Sequence, residues 1–314
     1  MGKPLILVFG ANPAWQKTLY FETFRRGQVN RAEKLELYAG GKGVNFCRAA
    51  KCLGTARTRL YQFSGGANGD LHEAALKTEG IDCHAVRVAR ETRCCTTLLD
   101  RTGDAMTELI EPSHAPSAAE LSEMLRAFDA ALPEAAGAAV AGSLPDGTDK
   151  ELYTEVAKLA AKHHKILLVD AVYAPMLDAA GDFVLKINMD ELKKLTGETE
   201  ARQALRSGME RWPRGVLAIT DGAGLAITDG AGQAYLAAQG KMWRYTIPHI
   251  EVVSALGAGD TCSAVSMSAI VNGKVAVEAF ADGLAAASAN CLSPRAGEFA
   301  VPDMKRLAPT VEAL

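Results

Sequence analysis

Five short apolar runs, four unbroken and one interrupted by a single lysine, constrain this 314-residue chain more than any other feature. Leu5–Phe9, Ala138–Ala141, Ile166–Val169 and Val216–Ile219 contain no polar residue, and Phe183–Ile187 contains one, Lys186, without regular alternation. A strand with one wet face alternates. A strand that is apolar throughout must be covered on both faces, which is the condition of a parallel sheet with helices on each side. Helical patterns lie between the runs, at Val44–Leu53, Leu71–Glu79, Ala118–Ala131, Lys150–His163, Asp190–Leu195 and Ala201–Arg211. The alternation predicts an α/β fold, a doubly wound, mostly parallel sheet sandwiched by helices.

Two regions break this rhythm. Lys17–Glu22 and Asn30–Ala39 read as strands with polar interruptions, and so do Arg93–Asp100 and Ala105–Glu111. The turn Arg101-Thr102-Gly103-Asp104 would join the last two as a hairpin. These pieces predict a small second sheet, discontinuous in sequence, drawn from about residues 14–39 and 92–111 of a single domain spanning 1–314. Thr246–Val253 reads as one more strand, leading toward a Gly-rich turn.

Composition excludes partners rather than naming one. Lys plus Arg (34) nearly balances Asp plus Glu (37), which argues against a nucleic-acid or membrane-surface binder, since both need a concentrated basic face. A small local anion site remains compatible with that balance. Cys47, Cys52, Cys83, Cys94, Cys95, Cys262 and Cys291 lack the spacing of a zinc ribbon or redox pair. Free thiols in a reducing cytoplasm are the expectation. The first apolar run is too short for a signal-peptide core, and no stretch approaches the ~18 apolar residues of a membrane span.

Ligands of an open α/β sheet sit beyond the carboxyl ends of its strands, so the Gly-rich turns carry the functional signal. Neither a phosphate-binding loop ending in Gly-Lys-Ser/Thr nor a dinucleotide fingerprint after the first strand is present, which disfavours a P-loop ATPase and an oxidoreductase. Gly257-Ala258-Gly259-Asp260-Thr261 opens a helical stretch running to Val271. Its first-turn amides would form an anion cradle aided by the helix dipole. Asp260 either complements that dipole or serves as the base of a phosphoryl transfer. Gly40-Gly41-Lys42-Gly43-Val44-Asn45 offers close backbone approach and one cation, or simply a tight turn with a solvated lysine. Gly142-Ser143-Leu144-Pro145 follows a buried strand and is either an ordinary turn or part of the same sheet edge. Asn188 and Glu191 fit a capping box, with water-mediated Mg²⁺ binding as the sharper alternative. Thr220-Asp221-Gly222 reads as a hairpin turn toward Leu225–Thr228, or as a nucleotide contact. Arg31 and Arg93 are either solvated or converge on a phosphate. His163 and His164, near a helix end, are assigned no metal.

The order of these segments is more specific than any one of them. Asn12-Pro13-Ala14, Gly27-x-Val29-Asn30-Arg31, Ala39 to Asn45, Glu91-Thr92-Arg93, Glu111-Pro112, Gly142 to Pro145, Lys186-x-Asn188-x-x-Glu191 and Gly257 to Asp260 run the length of the chain. In that order the chain resembles the ribokinase-like (phosphofructokinase B) family of sugar kinases, nearest the branch with 1-phosphofructokinase and tagatose-6-phosphate kinase. The resemblance implies an ATP- and Mg²⁺-dependent kinase of a phosphorylated ketohexose, of the fructose 1-phosphate or tagatose 6-phosphate type, with a β-sheet lid. It implies Asp260 as general base and the amides of Gly257, Ala258 and Gly259 as anion hole. Gly40, Gly41 and Asn45 would face the sugar, Arg31, Arg93 and Ser143 its phosphate, and Lys42 a transferring or substrate phosphate. Asn188 and Glu191 would organise the metal, Lys186, Thr220 and Gly222 the ATP phosphates or nucleotide, and Asn290 would lie near the adenine. A homodimer through the lid is implied, with a monovalent-cation requirement left open. The chain departs from the family at Gln16, where an Asp usually binds sugar hydroxyls, at Ile110 and Ser113 flanking Glu111-Pro112, and at Leu256 before the Gly-Ala-Gly-Asp turn. The alternatives are a kinase of an unphosphorylated sugar or nucleoside in the same fold, or a non-catalytic sugar or nucleotide sensor.

Overall fold

Alternate residues of the first apolar run face opposite ways, and both sides are dry. Leu5, Leu7 and Phe9 join one hydrophobic core, while Ile6 and Val8 join another. The two cores are the two faces of one large sheet, which is why the central strands tolerate no polar alternation.

The computed structural model describes residues 2–103, 105–220 and 232–314. In chain order the first half forms β1 (Leu5–Phe9), β2 (Ala14–Phe21), β3 (Lys34–Gly40), α1 (Lys42–Leu53), β4 (Arg57–Ser64), α2 (Gly66–Glu79), β5 (Asp82–Arg87), β6 (Cys94–Asp100), β7 (Ala105–Ile110) and α3 (Ala118–Ala131). There follow β8 (Gly137–Ala141), α4 (Glu151–Lys162), β9 (Ile166–Asp170), α5 (Ala174–Ala179), β10 (Phe183–Asn188), α6 (Met189–Thr196), α7 (Ala201–Arg211) and β11 (Gly215–Thr220). The chain ends with β12 (Gly232–Ala238), β13 (Lys241–Ile247), α8 (Ala258–Val271), α9 (Ala276–Asn290), α10 (Val301–Arg306) and β14 (Thr310–Ala313).

The large sheet has the order β14-β13-β12-β11-β10-β9-β8-β1-β4-β5. Its strands from β11 through β5 are mutually parallel, and β12, β13 and β14 add an antiparallel edge. Helices α3 to α7 supply Met124, Phe128, Val156, Leu177, Leu192 and Leu205 to one core. Helices α1, α2, α8 and α9 supply Val44, Phe46, Leu76, Ala264 and Phe280 to the other. The doubly wound sandwich is therefore the fold that the apolar runs predict. No helix among the described residues is long and apolar enough to cross a membrane.

The small sheet has the order β3-β2-β6-β7, discontinuous in sequence as expected. The central pair β2–β6 is parallel and both outer pairs are antiparallel. Strand β3 begins later than the pattern suggests. Asn30 is spent on a loop, where its side chain accepts from the Arg25 amide and donates to the Arg25 and Gln28 carbonyls, so β3 starts at Lys34. The strand expected over Thr246–Val253 also differs: β13 spans Lys241–Ile247 and stops before Pro248, which has no N–H to give a ladder. The expected hairpin from Asp221 to Thr228 lies outside the described residues, and so does Asp104 in the β6–β7 turn. All seven cysteines are free.

Candidate active site

The carboxyl ends of β1, β8, β9, β10 and β11 lie along one edge of the large sheet, and β1 passes there directly into the small sheet. Between the two sheets lies a cavity of about 480 Å³. It brings together Gln16, Gly40, Gly41, Lys42, Asn45, Arg93, Lys186, Asn188, Glu191, Thr220 and Gly257 to Asp260. A second lobe of about 530 Å³, with Asn12, Ser143 and Asp146 in its wall, shares Lys42, Arg93, Asp170 and Glu191 with the first. Fifteen of the eighteen expected site residues thus line one continuous depression.

Three do not. Gly222 lies outside the described residues. Arg31 sits exposed in the loop between β2 and β3 and lines neither lobe, whereas Arg93, next to the start of β6, lines both. Asn290 ends α9 with no exposed surface and lines neither lobe. Its Oδ1 accepts from Thr261 Oγ1 (3.1 Å) and the Gly297 amide (2.7 Å), and its Nδ2 donates to the Leu256 carbonyl (3.0 Å). Those bonds clamp the turn that leads into α8.

Helix α8 opens on Gly257 at φ 77°, a left-handed conformation that favours glycine. A Cβ at Gly257 would also lie 2.6 Å from Ala296 Cβ, so the turn has no room for a side chain. No side chain caps this helix, and among the described residues the amides of Gly259 and Asp260 find no acceptor. Helix α1 likewise starts at the cavity without a side-chain cap. Two uncapped amino ends on one depression favour an anion between them. Helix α6 is different, since its capping box is fully made: the Glu191 amide donates to Asn188 Oδ1 (2.8 Å) and the Asn188 amide to Glu191 Oε2 (2.9 Å).

The charges at the cavity floor form a closed set that includes a residue not singled out in the sequence. Asp170, at the end of β9, is 6% exposed and accepts from Lys42 Nζ (3.0 Å), Lys186 Nζ (3.2 Å) and Ser263 Oγ (3.1 Å). Burial opposes its charge, but the Lys186 and Lys42 ammonium groups outweigh burial and hold the carboxyl below the usual carboxylate range. The Asp170 carboxylate in turn holds Lys42 above the ordinary lysine range. Lys186 rests against α8, its Nζ only 2.8 Å from where a Gly259 Cβ would stand. Asp260, also 6% exposed, is pushed up by burial despite the nearby Lys42, and Asp170 adds to the rise. Asn45 Nδ2 donates to Asp260 Oδ2 at 2.8 Å. The one sequence signal for Asp170 is a carboxylate closing an otherwise apolar strand, at the sheet edge where ligands bind.

The small-sheet wall is more open. Gln16 is buried, and its Nε2 donates to Thr97 Oγ1 at 2.9 Å, so an uncharged amide stands at the position where the resembling family has an Asp. Among the described residues the Arg93 guanidinium donates only to the Pro13 and Asn12 carbonyls, both at 3.4 Å, and it reaches both lobes. Among the described residues no group of three or more His, Cys, Asp or Glu is placed to hold a metal. A magnesium ion, which keeps several waters, needs fewer protein oxygens. Glu191, with one oxygen not used by the capping box and a place in both lobes, fits that mode.

The sequence profile of the pfkB family carbohydrate kinases matches residues 5–304. An ATP-dependent 6-phosphofructokinase isozyme 2 of Mycobacterium tuberculosis is 26% identical over 311 residues, covering 97% of this chain and 89% of that protein. A 1-phosphofructokinase of Borreliella burgdorferi is 27% identical over 312 residues, covering 96% of each. The crystal structure of phosphofructokinase-2 from Escherichia coli in complex with fructose-6-phosphate superposes with a TM-score of 0.83 at 20% identity, covering 97% of this chain and 98% of that one.

Proposed function

The chain belongs to the pfkB family of carbohydrate kinases and is a phosphotransferase acting on sugars, and from that premise we propose that it transfers the γ-phosphoryl group of ATP to a hydroxyl of a phosphorylated ketohexose, of the fructose 1-phosphate or tagatose 6-phosphate type. The observation that carries this reading is a buried carboxylate, Asp260, in the first turn of an uncapped helix that faces a two-lobed cavity.

Asp260 accepts the proton of the attacking hydroxyl, and its raised affinity for protons in the buried floor suits it to that step. Of the expected anion hole, the Gly259 amide is free among the described residues, the Ala258 amide donating instead to the Ala255 carbonyl (3.3 Å). The amides of Gly259 and Asp260 stabilise negative charge on the transferring group, aided by the α8 dipole. Gln16, Gly40, Gly41 and Asn45 hold the sugar, and Arg93 with Ser143 holds its existing phosphate in the second lobe. Lys42, with half its side chain open to the cavity, reaches across the junction of the lobes. Lys186 and Thr220 face the donor phosphates. Mg²⁺, held through water by Asn188 and Glu191, would offset charge on the donor phosphates when bound.

Asp260→Asn should lower kcat by about 10²-fold or more while the protein still binds ATP, measured by coupled turnover and by calorimetry. Near-normal turnover in that variant would remove Asp260 as base. The seven free cysteines support a reducing, cytoplasmic setting. A homodimer through the small sheet is supported by Leu35, Leu37 and Leu109, which are each half exposed and share the face opposite Gln16.

A further inference from the structure

Asn45 donates to Asp260, yet a primary amide can present either its N–H₂ or its carbonyl to a neighbour. What decides between them lies one helical turn on. Arg48 does not line the cavity and is 4% exposed, and its guanidinium is fully engaged. One terminal nitrogen donates to Asn45 Oδ1 (3.2 Å) and the Ala296 carbonyl (2.9 Å). The other donates to the Ala39 carbonyl (2.8 Å) and Glu79 Oε1 (3.2 Å), and Nε donates to Glu79 Oε2 (2.8 Å).

We propose that Arg48 is a positioning residue for the base: it locks the Asn45 amide so that the N–H₂, and not the carbonyl, faces Asp260. A guanidinium carries five donors, has no acceptor and keeps its charge throughout the working pH range. Only the oxygen of the Asn45 amide can therefore meet it, which leaves Nδ2 for Asp260. A flipped amide would set N–H against guanidinium and oxygen against carboxylate, two unfavourable contacts at once. The orientation matters because a donor favours the ionised carboxylate, the form able to accept a proton, whereas an acceptor favours the protonated form.

The surroundings are consistent with a fixed Arg48. Glu79 on α2 answers its charge, Arg295 shares that carboxylate, and the Tyr38 ring on β3 lies 5.8 Å from the guanidinium carbon. Asp260 itself meets Lys42 from α1, Asp170 from β9 and Lys186 from β10, none of which depends on the Asn45 amide. Arg48 also donates to the carbonyl of Ala296, the residue that packs on Gly257, so one buried side chain joins the base and the anion cradle.

This inference rests on Asp260 being the base, and its test is a double-mutant cycle of Arg48→Met and Asn45→Ala read on turnover of fructose 1-phosphate or tagatose 6-phosphate with ATP. Arg48→Met should lower kcat about tenfold or more and move the acid limb of the kcat–pH profile to higher pH, with the KM for ATP unchanged. In the Asn45→Ala background the same substitution should cost less than about twofold. Fully additive losses, or an unmoved acid limb, would overturn the proposal. If Arg48→Met fails to fold, Arg48→Met with Glu79→Gln removes the carboxylate charge that Arg295 alone would otherwise answer, keeps a side-chain acceptor for Arg295, and is read in the same cycle. An active Asp260→Asn enzyme would defeat the base assignment, whereas an inactive one with an additive cycle defeats Arg48 alone.

Discussion

Asp170, Lys186 and Asp260, on the large-sheet side of the cavity, are each less than 10% exposed and linked through short bonds or shared neighbours. Across from them Met106, Glu108 and Ile110 of the small sheet stand exposed, and among the described residues the Arg93 guanidinium is held by two long bonds. On the proposed function, the difference separates two tasks. Phosphoryl transfer needs charges whose positions do not relax as the reaction proceeds, and a covered parallel sheet supplies them. Choice of substrate needs groups still free to be satisfied by a ligand, and the four-stranded sheet supplies those.

The largest effect that separates the two walls should come from Asp170→Ala. Removing one partner from a buried cluster leaves Lys186 unanswered, a loss of about 3–5 kcal/mol in unfolding free energy measured by urea titration. A loss below about 1 kcal/mol would mean the floor is not fixed as described. The same carboxyl gives the pH direction. Its folded form is held below the unfolded aspartate value of about 3.9, so its contribution is present above that pH and fades as pH falls further. Asp170→Asn should therefore flatten the acid side of the stability profile.

Next in size is the substrate wall. Arg93→Ala should raise the KM for a phosphosugar by roughly 10- to 100-fold, the range of a hydrogen bond to a charged group, and leave folding stability nearly unchanged. An equal rise for the unphosphorylated parent sugar would move Arg93 away from the phosphate. The smallest effect on the reaction should come from the outer face of the small sheet. Leu37→Lys with Leu109→Glu should convert a dimer to a monomer in sedimentation velocity, with kcat changed less than about threefold. An unchanged sedimentation coefficient would remove that face as the interface.

Much of the scaffold was legible along the chain. The limits read for β1, α3 and α7 agree with the structure to the residue, because each is set by strong local signals: an unbroken apolar run, a Ser117 cap with Glu120 completing its box, and an amphipathic period. The Gly-rich turns were legible too, since a turn that must expose amides leaves glycine in the sequence. Asp170 was not. Its partners Lys42, Lys186 and Ser263 lie 128, 16 and 93 positions away, and no local pattern joins them. Arg31 and Arg93 looked alike in sequence, and only the path of the loop after β2 separates one from the cavity that the other lines.

The period of the apolar residues determined the layers by itself, because burying an unalternated strand on both faces admits few solutions. The spacing of glycines around Lys42 and Asp260 determined where an anion could be met. Which charges answer one another, which way the Asn45 amide points, and which arginine reaches the cavity were decided only in three dimensions. Coulombic and hydrogen-bond energies depend on separations of a few ångströms, and the fold sets those separations without regard to distance along the chain.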